Sequence, residues 1–174
     1  MTPKAVLVGL PGTGKTSTGR RLAKILAVPF ADSDELVEAA AGRSVAELFA
    51  TEGEGAFRAA ERAAVVAALA EFDGVLALGG GAVGTAVIRA ALSGSAVPVV
   101  LLRATRATLL ERIGDATSRP LLVADPPARL SALAAEREPL YAEVTTLAVD
   151  TDGRTPSQVA ATVAARLHEL EIAR

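Results

Sequence analysis

The sequence predicts an α/β fold, a three-layer α/β/α sandwich around a five-stranded parallel sheet. Two observations carry this expectation. Short apolar runs alternate along the chain with longer segments of helical periodicity, and that alternation implies parallel strands joined by crossover helices. The first run, 5–8, leads directly into Gly9-Leu10-Pro11-Gly12-Thr13-Gly14-Lys15-Thr16 and then into an amphipathic helical pattern. The octapeptide fits G-x-x-x-x-G-K-[ST], and strand, glycine loop and helix are the context in which that pattern forms a phosphate-binding loop.

The elements follow in order. Ala5-Val6-Leu7-Val8 is short, apolar and rich in β-branched residues, which suits a strand buried on both faces. Residues 16–27 place Leu22, Ile25 and Leu26 on one side of a helix and Arg20, Arg21 and Lys24 on another. Residues 28–31 read as a second strand that ends at Asp32-Ser33-Asp34, and 35–41 as a helix stopped by Gly42. Ser44 with Glu47 three residues on is a capping box that opens a helix to about residue 51. The longest helical pattern is 54–72, broken by Asp73-Gly74; the third strand, 75–78, then runs into Gly79-Gly80-Gly81. A short helix at 85–92 precedes the fourth strand, 97–102, with Pro98 near its start, where a strand proline is tolerated. Residues 105–113 are helical, 114–127 are polar and proline-bearing and read as a loop or flap, and 128–144 are helical. The fifth strand is 146–149, and Pro156 suits the first turn of a last helix ending near residue 170. No repeat or linker interrupts the chain, so 1–174 reads as one domain with insertions at about 33–61 and 114–127.

Composition narrows the function classes. A chain of 174 residues can bury a sizeable core. A net charge of −2 without a basic block argues against a nucleic-acid partner. The absence of cysteine excludes disulfides, thiolate zinc sites and cysteine nucleophiles, and fits a reducing compartment. The first residues lack the pattern of a signal peptide. The stretch 74–102 carries one charge, Arg89, but glycines and Pro98 interrupt it. Neither side of Arg89 reaches the ~20 apolar residues that a membrane helix needs.

The glycine loop sets the chemistry. Its backbone N–H groups make a concave anion site, and the following helix adds the positive end of its dipole. Gly9, Gly12 and Gly14 let the backbone wrap a phosphate closely. Lys15 supplies a cation for the β- and γ-phosphates, and the Thr16 hydroxyl is the expected Mg²⁺ ligand. The second strand ends in Asp32, placed to support that metal through water; the third ends in glycines and offers no acid. Asp34, two residues on, is placed to meet a substrate hydroxyl. One of the two acids could instead cap the helix that follows, a role that does not exclude chemistry.

Elsewhere the residues leave more than one reading. Arg58 with Glu61 at i+3 has the spacing of an ordinary helix ion pair. Phe49 and Phe57 suit core packing as well as a pocket wall. Gly79-Gly80-Gly81 after a strand is a plain turn or a place where a ligand meets backbone. Arg119 in the flap could reach a transferring phosphoryl group or stay in solvent. Arg137 alone says little, and the only histidine, His168, is expected at the surface.

Taken together, five features resemble shikimate kinase: the loop Gly9–Thr16; Asp32-Ser33-Asp34; Phe57-Arg58 with Glu61; Gly79-Gly80-Gly81-Ala82-Val83; and Arg119-Pro120-Leu121-Leu122 followed by Arg137-Glu138-Pro139-Leu140-Tyr141. The resemblance implies a P-loop fold of the nucleoside monophosphate kinase type, strand order 2-3-1-4-5, with a substrate-binding helical insertion and a lid at about 114–127. It also implies phosphorylation of the 3-hydroxyl of shikimate by ATP with Mg²⁺, in chorismate and aromatic amino acid biosynthesis, by a cytoplasmic monomer. On the same ground Gly12, Thr13, Gly14, Lys15, Thr16 and Ser17 bind ATP, with Arg112 on one face of adenine and Arg154 and Pro156 lining the other. Thr16 and Asp32 hold the metal. Asp34 holds the ring hydroxyls and assists deprotonation. Arg58 and Arg137 grip the carboxylate, Gly80 and Gly81 add backbone contacts, Phe49 and Phe57 wall the pocket, and Arg119 is the lid arginine. Two arginines suit a carboxylate, because a guanidinium binds it in bidentate fashion. Gluconate kinases, nucleotide kinases and a nucleotide-binding module without turnover are the rival readings. The arginine pair with the triple glycine argues against the first two. The retained Lys15, Thr16, Asp32, Asp34 and Arg119 argue against the third.

Overall fold

The central strand β1 (Ala5–Val8) is buried along its whole length, and its side chains alternate between two cores. Ala5 and Leu7 point into one apolar cluster, Val6 and Val8 into the other. A strand with no polar face needs cover on both sides, and this computed structural model, which describes residues 2–113 and 125–173, provides it. β1 is flanked by β3 (Val75–Ala77) and β4 (Val99–Arg103), with β2 (Phe30–Asp32) and β5 (Leu147–Asp150) at the edges. The order is β2-β3-β1-β4-β5, and every pair is parallel.

Helices α1 (Lys15–Leu26) and α7 (Pro156–Ile172) close one face of the sheet with Leu22, Val159, Val163 and Leu167. The other face is closed by α3 (Val45–Glu71), α4 (Ala86–Gly94) and α6 (Pro126–Val144) through Val65, Leu69, Ile88, Leu92 and Val144. Each fully buried leucine contributes about 1.5–3 kcal/mol relative to exposure. Helices α2 (Ser33–Ala41) and the first part of α3 form an excursion between β2 and β3, with its own cluster of Val37, Leu48 and Phe57. Helix α5 (Arg106–Ile113) follows β4. Among the described residues no helix is long and apolar enough to cross a membrane.

Some boundaries differ from the sequence reading for local reasons. The two helices expected at 44–51 and 54–72 join as α3, bent at Gly53, whose φ of 84° and ψ of 176° are not helical. β4 begins after Pro98, which has no N–H for the ladder but still accepts from Val6 N at 2.9 Å through its carbonyl. Helix α6 starts at Pro126, so Pro126 and Pro127 form its first turn and not part of a flap; Asp125 caps it by accepting from Ala128 N at 3.3 Å. A 3-10 turn at Ala82–Gly84 between the glycine run and α4 was not expected.

Candidate active site

Side chains cap α2, α3, α6 and α7, whereas α1 begins without one. The helices α3 and α7 both begin with a capping box, Ser44 with Glu47 and Thr155 with Gln158. Helix α1 begins at Gly14, left-handed at φ 86° and ψ 26°, with no side-chain cap and no acid in its first turn. Glycine adopts that conformation without a Cβ penalty. The first-turn N–H groups and the helix dipole therefore offer a site for an external anion. Lys15 Nζ donates to the Gly9 and Leu10 carbonyls at 2.8 and 3.1 Å, and Thr13 Oγ1 donates to Leu10 O at 2.8 Å, which holds the loop in a closed curve.

A cavity of about 350 Å³ opens from this loop and is lined by Gly12 to Thr18 together with Arg112, Thr151, Arg154 and Pro156. The Arg112 guanidinium donates to Gly12 O at 3.3 Å, Thr151 Oγ1 at 2.8 Å and Thr151 O at 2.7 Å, tying the phosphate loop to the β5–α7 connection. Arg154 donates to Asp150 O and Gln158 O, each at 3.1 Å, and to the Thr162 hydroxyl. Asp152 accepts from Thr105 N and Oγ1, which fixes the same connection against the start of α5.

At the end of β2, three consecutive residues take three different partners. Asp32 Oδ1 accepts from Asp34 N at 3.0 Å and so caps α2, while its Oδ2 accepts from Thr16 Oγ1 at 2.8 Å. Ser33 is fully buried, and its Oγ accepts from Gly79 N at 2.8 Å. The Asp34 carboxylate has no part in the cap. Burial, and next the charge of Asp32, push its carboxyl above the usual value, with Lys15 and Arg58 pulling the other way. The open question about the two acids is thus answered by position. Thr16 and Asp32 set two hard oxygens side by side at the mouth of the loop. That set fits Mg²⁺, which takes one or two protein oxygens together with phosphate oxygens. Among the described residues no cluster of three acids or histidines could hold a metal by itself.

The glycine run then works as a ruler. A methyl group built on Gly79 would come within 2.9 Å of Asp34 Oδ1 and 3.0 Å of Glu61 Oε1. One on Gly80 would reach Arg137 Nη1 at 3.3 Å and Pro11 Cδ at 3.1 Å; one on Gly81 would reach Arg58 Nη2 at 2.5 Å. Acid and cations therefore stand in sequence along three residues of backbone, next to the phosphate loop. Arg58, on α3, pairs with Glu61 at 2.7 Å, so the ordinary ion pair is present. Its guanidinium also stacks over Phe57 at 5.1 Å. Glu61 is 1% exposed with Oε1 lacking a hydrogen-bond partner, and burial raises its pKa against the pull of Arg58. Arg137, on α6, is 6% exposed. Among the described residues it has no ion-pair partner. Phe57 lies inside the insertion's own cluster, against half-buried Phe49 at 4.7 Å between ring centroids. Arg119 lies outside the described residues.

A family model described as shikimate kinase matches residues 11–168 of this chain. The chain belongs to the shikimate kinase family. A shikimate kinase of Mycobacterium avium (strain 104) is 48% identical over 175 residues, spanning 100% of this chain and 98% of that protein. One from Mycobacterium tuberculosis (strain CDC 1551 / Oshkosh) is 51% identical over 168 residues, spanning 96% of this chain and 94% of that protein. Among solved structures, shikimate kinase from Acinetobacter baumannii in complex with shikimate matches with a TM-score of 0.90 at 33% identity, over 97% of this chain and 94% of that one.

Sequence reasoning missed some residues that brace this arrangement in the shikimate kinase chain. Ser33 has no role in the sequence reading beyond its place in Asp32-Ser33-Asp34, although a buried serine at a strand end is a ready backbone tie. Tyr141, whose hydroxyl donates to Gly80 O at 3.0 Å, was read only as part of a motif. As the only tyrosine of the chain, four residues after Arg137 on a helix, it shares a face with that arginine, which is the signal that could have found it. Thr151, which anchors Arg112, carried no sequence signal.

Proposed function

We infer that the protein transfers the γ-phosphoryl group of ATP to the 3-hydroxyl of shikimate, giving 3-phosphoshikimate and ADP. One observation carries this reading: buried Arg137 and half-buried Arg58 flank Gly80 and Gly81, while Asp34 stands over Gly79. A buried cation is costly unless paired, so Arg137 favours an anionic ligand. A ligand with a carboxylate at one end and hydroxyls at the other matches the arginine–arginine–aspartate spacing. Glycine at these positions lets it lie on the backbone.

In this reading ATP lies along the phosphate loop, its phosphates on the N–H groups of residues 12–17 and on Lys15. Arg112, Arg154 and Pro156 surround the base. Thr16 and Asp32 hold Mg²⁺, which when bound neutralises charge on the phosphate oxygens. Arg58 and Arg137 hold the carboxylate of shikimate and so fix the ring. Phe49 lines the wall, with Phe57 behind it. Asp34 orients the 3-hydroxyl and takes its proton as the oxygen attacks the γ-phosphorus; the bond to the β-phosphate oxygen breaks and ADP leaves. A carboxylate whose pKa is raised is a better proton acceptor than an ordinary one. Arg119, from the lid, completes the charge around the transferring group. Positioning and charge account for most of the catalysis that such a transfer needs. A cytoplasmic monomer, acting on small molecules and not on nucleic acid or membrane, fits this chemistry. A coupled ADP-release assay with shikimate, gluconate and nucleoside monophosphates tests the reading. Release is expected with shikimate, and preferential turnover of either alternative would overturn it.

A further inference from the structure

Tyr141 has no place in the chemistry described so far, yet it is 3% exposed, its hydroxyl donates to the Gly80 carbonyl at 3.0 Å, and the Arg137 guanidinium hydrogen-bonds to the same hydroxyl. Gly80 is also the residue that the Arg137 guanidinium approaches. Burial pushes the Tyr141 phenol up to about 12, with the adjacent Arg137 acting in the opposite direction. The phenol thus stays a neutral donor throughout the working range. Arg137 and Tyr141 are one helical turn apart, but Pro139 lies between them on α6. A proline inside a helix removes the bond to the carbonyl four residues back and weakens the backbone there. Backbone alone is therefore a loose way to hold Arg137 against the glycine run. The tyrosine makes a direct connection from the same turn to the residue that Arg137 must face.

We propose that Tyr141 is a positioning residue for the acid end of the substrate: it locks the Arg137 turn of α6 to the Gly80 carbonyl and so sets the distance between guanidinium and glycine backbone. The other end of the run is held independently by Ser33 on Gly79 N at 2.8 Å. Together the two ties fix the glycine run against α2 and α6. Without the hydroxyl, the half-buried Gly80 O would lose this partner, and the run would shift to find another. The proposal deepens the reading of Arg137 as a carboxylate ligand and rests on it.

The test compares Tyr141→Phe, Arg137→Ala, the double variant and Val144→Ala. Val144 belongs to the same helix and the same core but carries no hydroxyl. Tyr141→Phe is expected to raise KM for shikimate about tenfold, the usual size of an effect from leaving one partly buried acceptor unpaired, with KM for ATP and kcat within about twofold. In the Arg137→Ala background the same change should add nothing. Val144→Ala should leave KM for shikimate unchanged. The proposal is overturned if Tyr141→Phe leaves KM for shikimate unchanged, moves KM for ATP equally, or adds its full effect to that of Arg137→Ala. If Arg137→Ala itself leaves KM for shikimate unchanged, the carboxylate assignment has failed and the proposal falls with it. A measurement on the unaltered protein stands beside the variants. The chain has one tyrosine and no tryptophan, so its intrinsic emission reports on Tyr141 alone. Shikimate should change that emission with a midpoint near its KM, and a flat signal through saturation would overturn the proposal.

Discussion

Asp32 and Asp34 differ in partners more than in place. Asp32 spends both oxygens, one on the helix cap and one on Thr16, while Asp34 faces Gly79. The raised carboxyl of Asp34 means that the folded protein binds this proton more tightly than the unfolded chain does. Stability therefore falls as pH rises from the ordinary carboxylate value through the raised one, above which the full cost is in place. Asp34→Asn should then lose nearly all phosphoryl transfer, keep ATP binding, and melt at pH 7 no lower than the unaltered protein. The advantage should close as pH falls below the ordinary carboxylate value. Turnover within about threefold of the original would remove Asp34 from the chemistry.

The two arginines come from different elements, and that separates their effects. Arg58 on α3 is bound to buried Glu61, whereas Arg137 on α6 has no ion-pair partner among the described residues. Either change to alanine should weaken shikimate binding by about 2–5 kcal/mol, as for loss of a contact to a desolvated charge. Arg58→Ala should also lower the melting temperature, because it strands Glu61. Arg137→Ala should do so much less. Calorimetric binding and thermal melts on the same samples check the split, and an analogue without the carboxylate should bind all three proteins alike. The bend in α3 makes a second prediction at this scale. Gly53 sits in a region of backbone space essentially confined to glycine, with open space around it. Gly53→Ala should cost about 1–3 kcal/mol through strain alone, read as a lower denaturant midpoint.

For the whole molecule the sheet is the frame on which the site is built. The phosphate loop leaves β1, Asp32 ends β2, and the glycine run leaves β3, so three adjacent strands deliver their C-terminal ends to one edge of the sheet. This is where open parallel sheets place their ligands. The frame depends on residues far from the chemistry. Leu7 is fully buried in the middle of β1, and Leu7→Ala should cost about 2–5 kcal/mol by leaving a cavity. A urea melt should show a lower midpoint with unchanged slope, and at a temperature where the variant is folded KM for shikimate should not move.

Local chemistry was open to inspection in the chain itself. The glycine loop, the alternation of strands and helices, the Ser44 capping box and the Gly42 stop are each encoded within a few neighbouring residues, because caps, turns and periodicity act over about one helical turn. The strand order came from the family resemblance, since periodicity carries no information about which strands lie side by side. Other matters belonged to the tertiary structure alone. Spacing set Asp32 toward the metal and Asp34 toward the substrate but left open which of them caps α2, and only the bonds of Asp32 to Asp34 N and Thr16 answered that. Spacing likewise made Arg58 an ordinary ion pair and said little of Arg137. The register of β3 between β1 and β2, with α3 and α6 packed above it, brings both onto Gly80 and Gly81. A side chain's partner across the fold is set by strand register and helix packing, and those depend on the whole core at once.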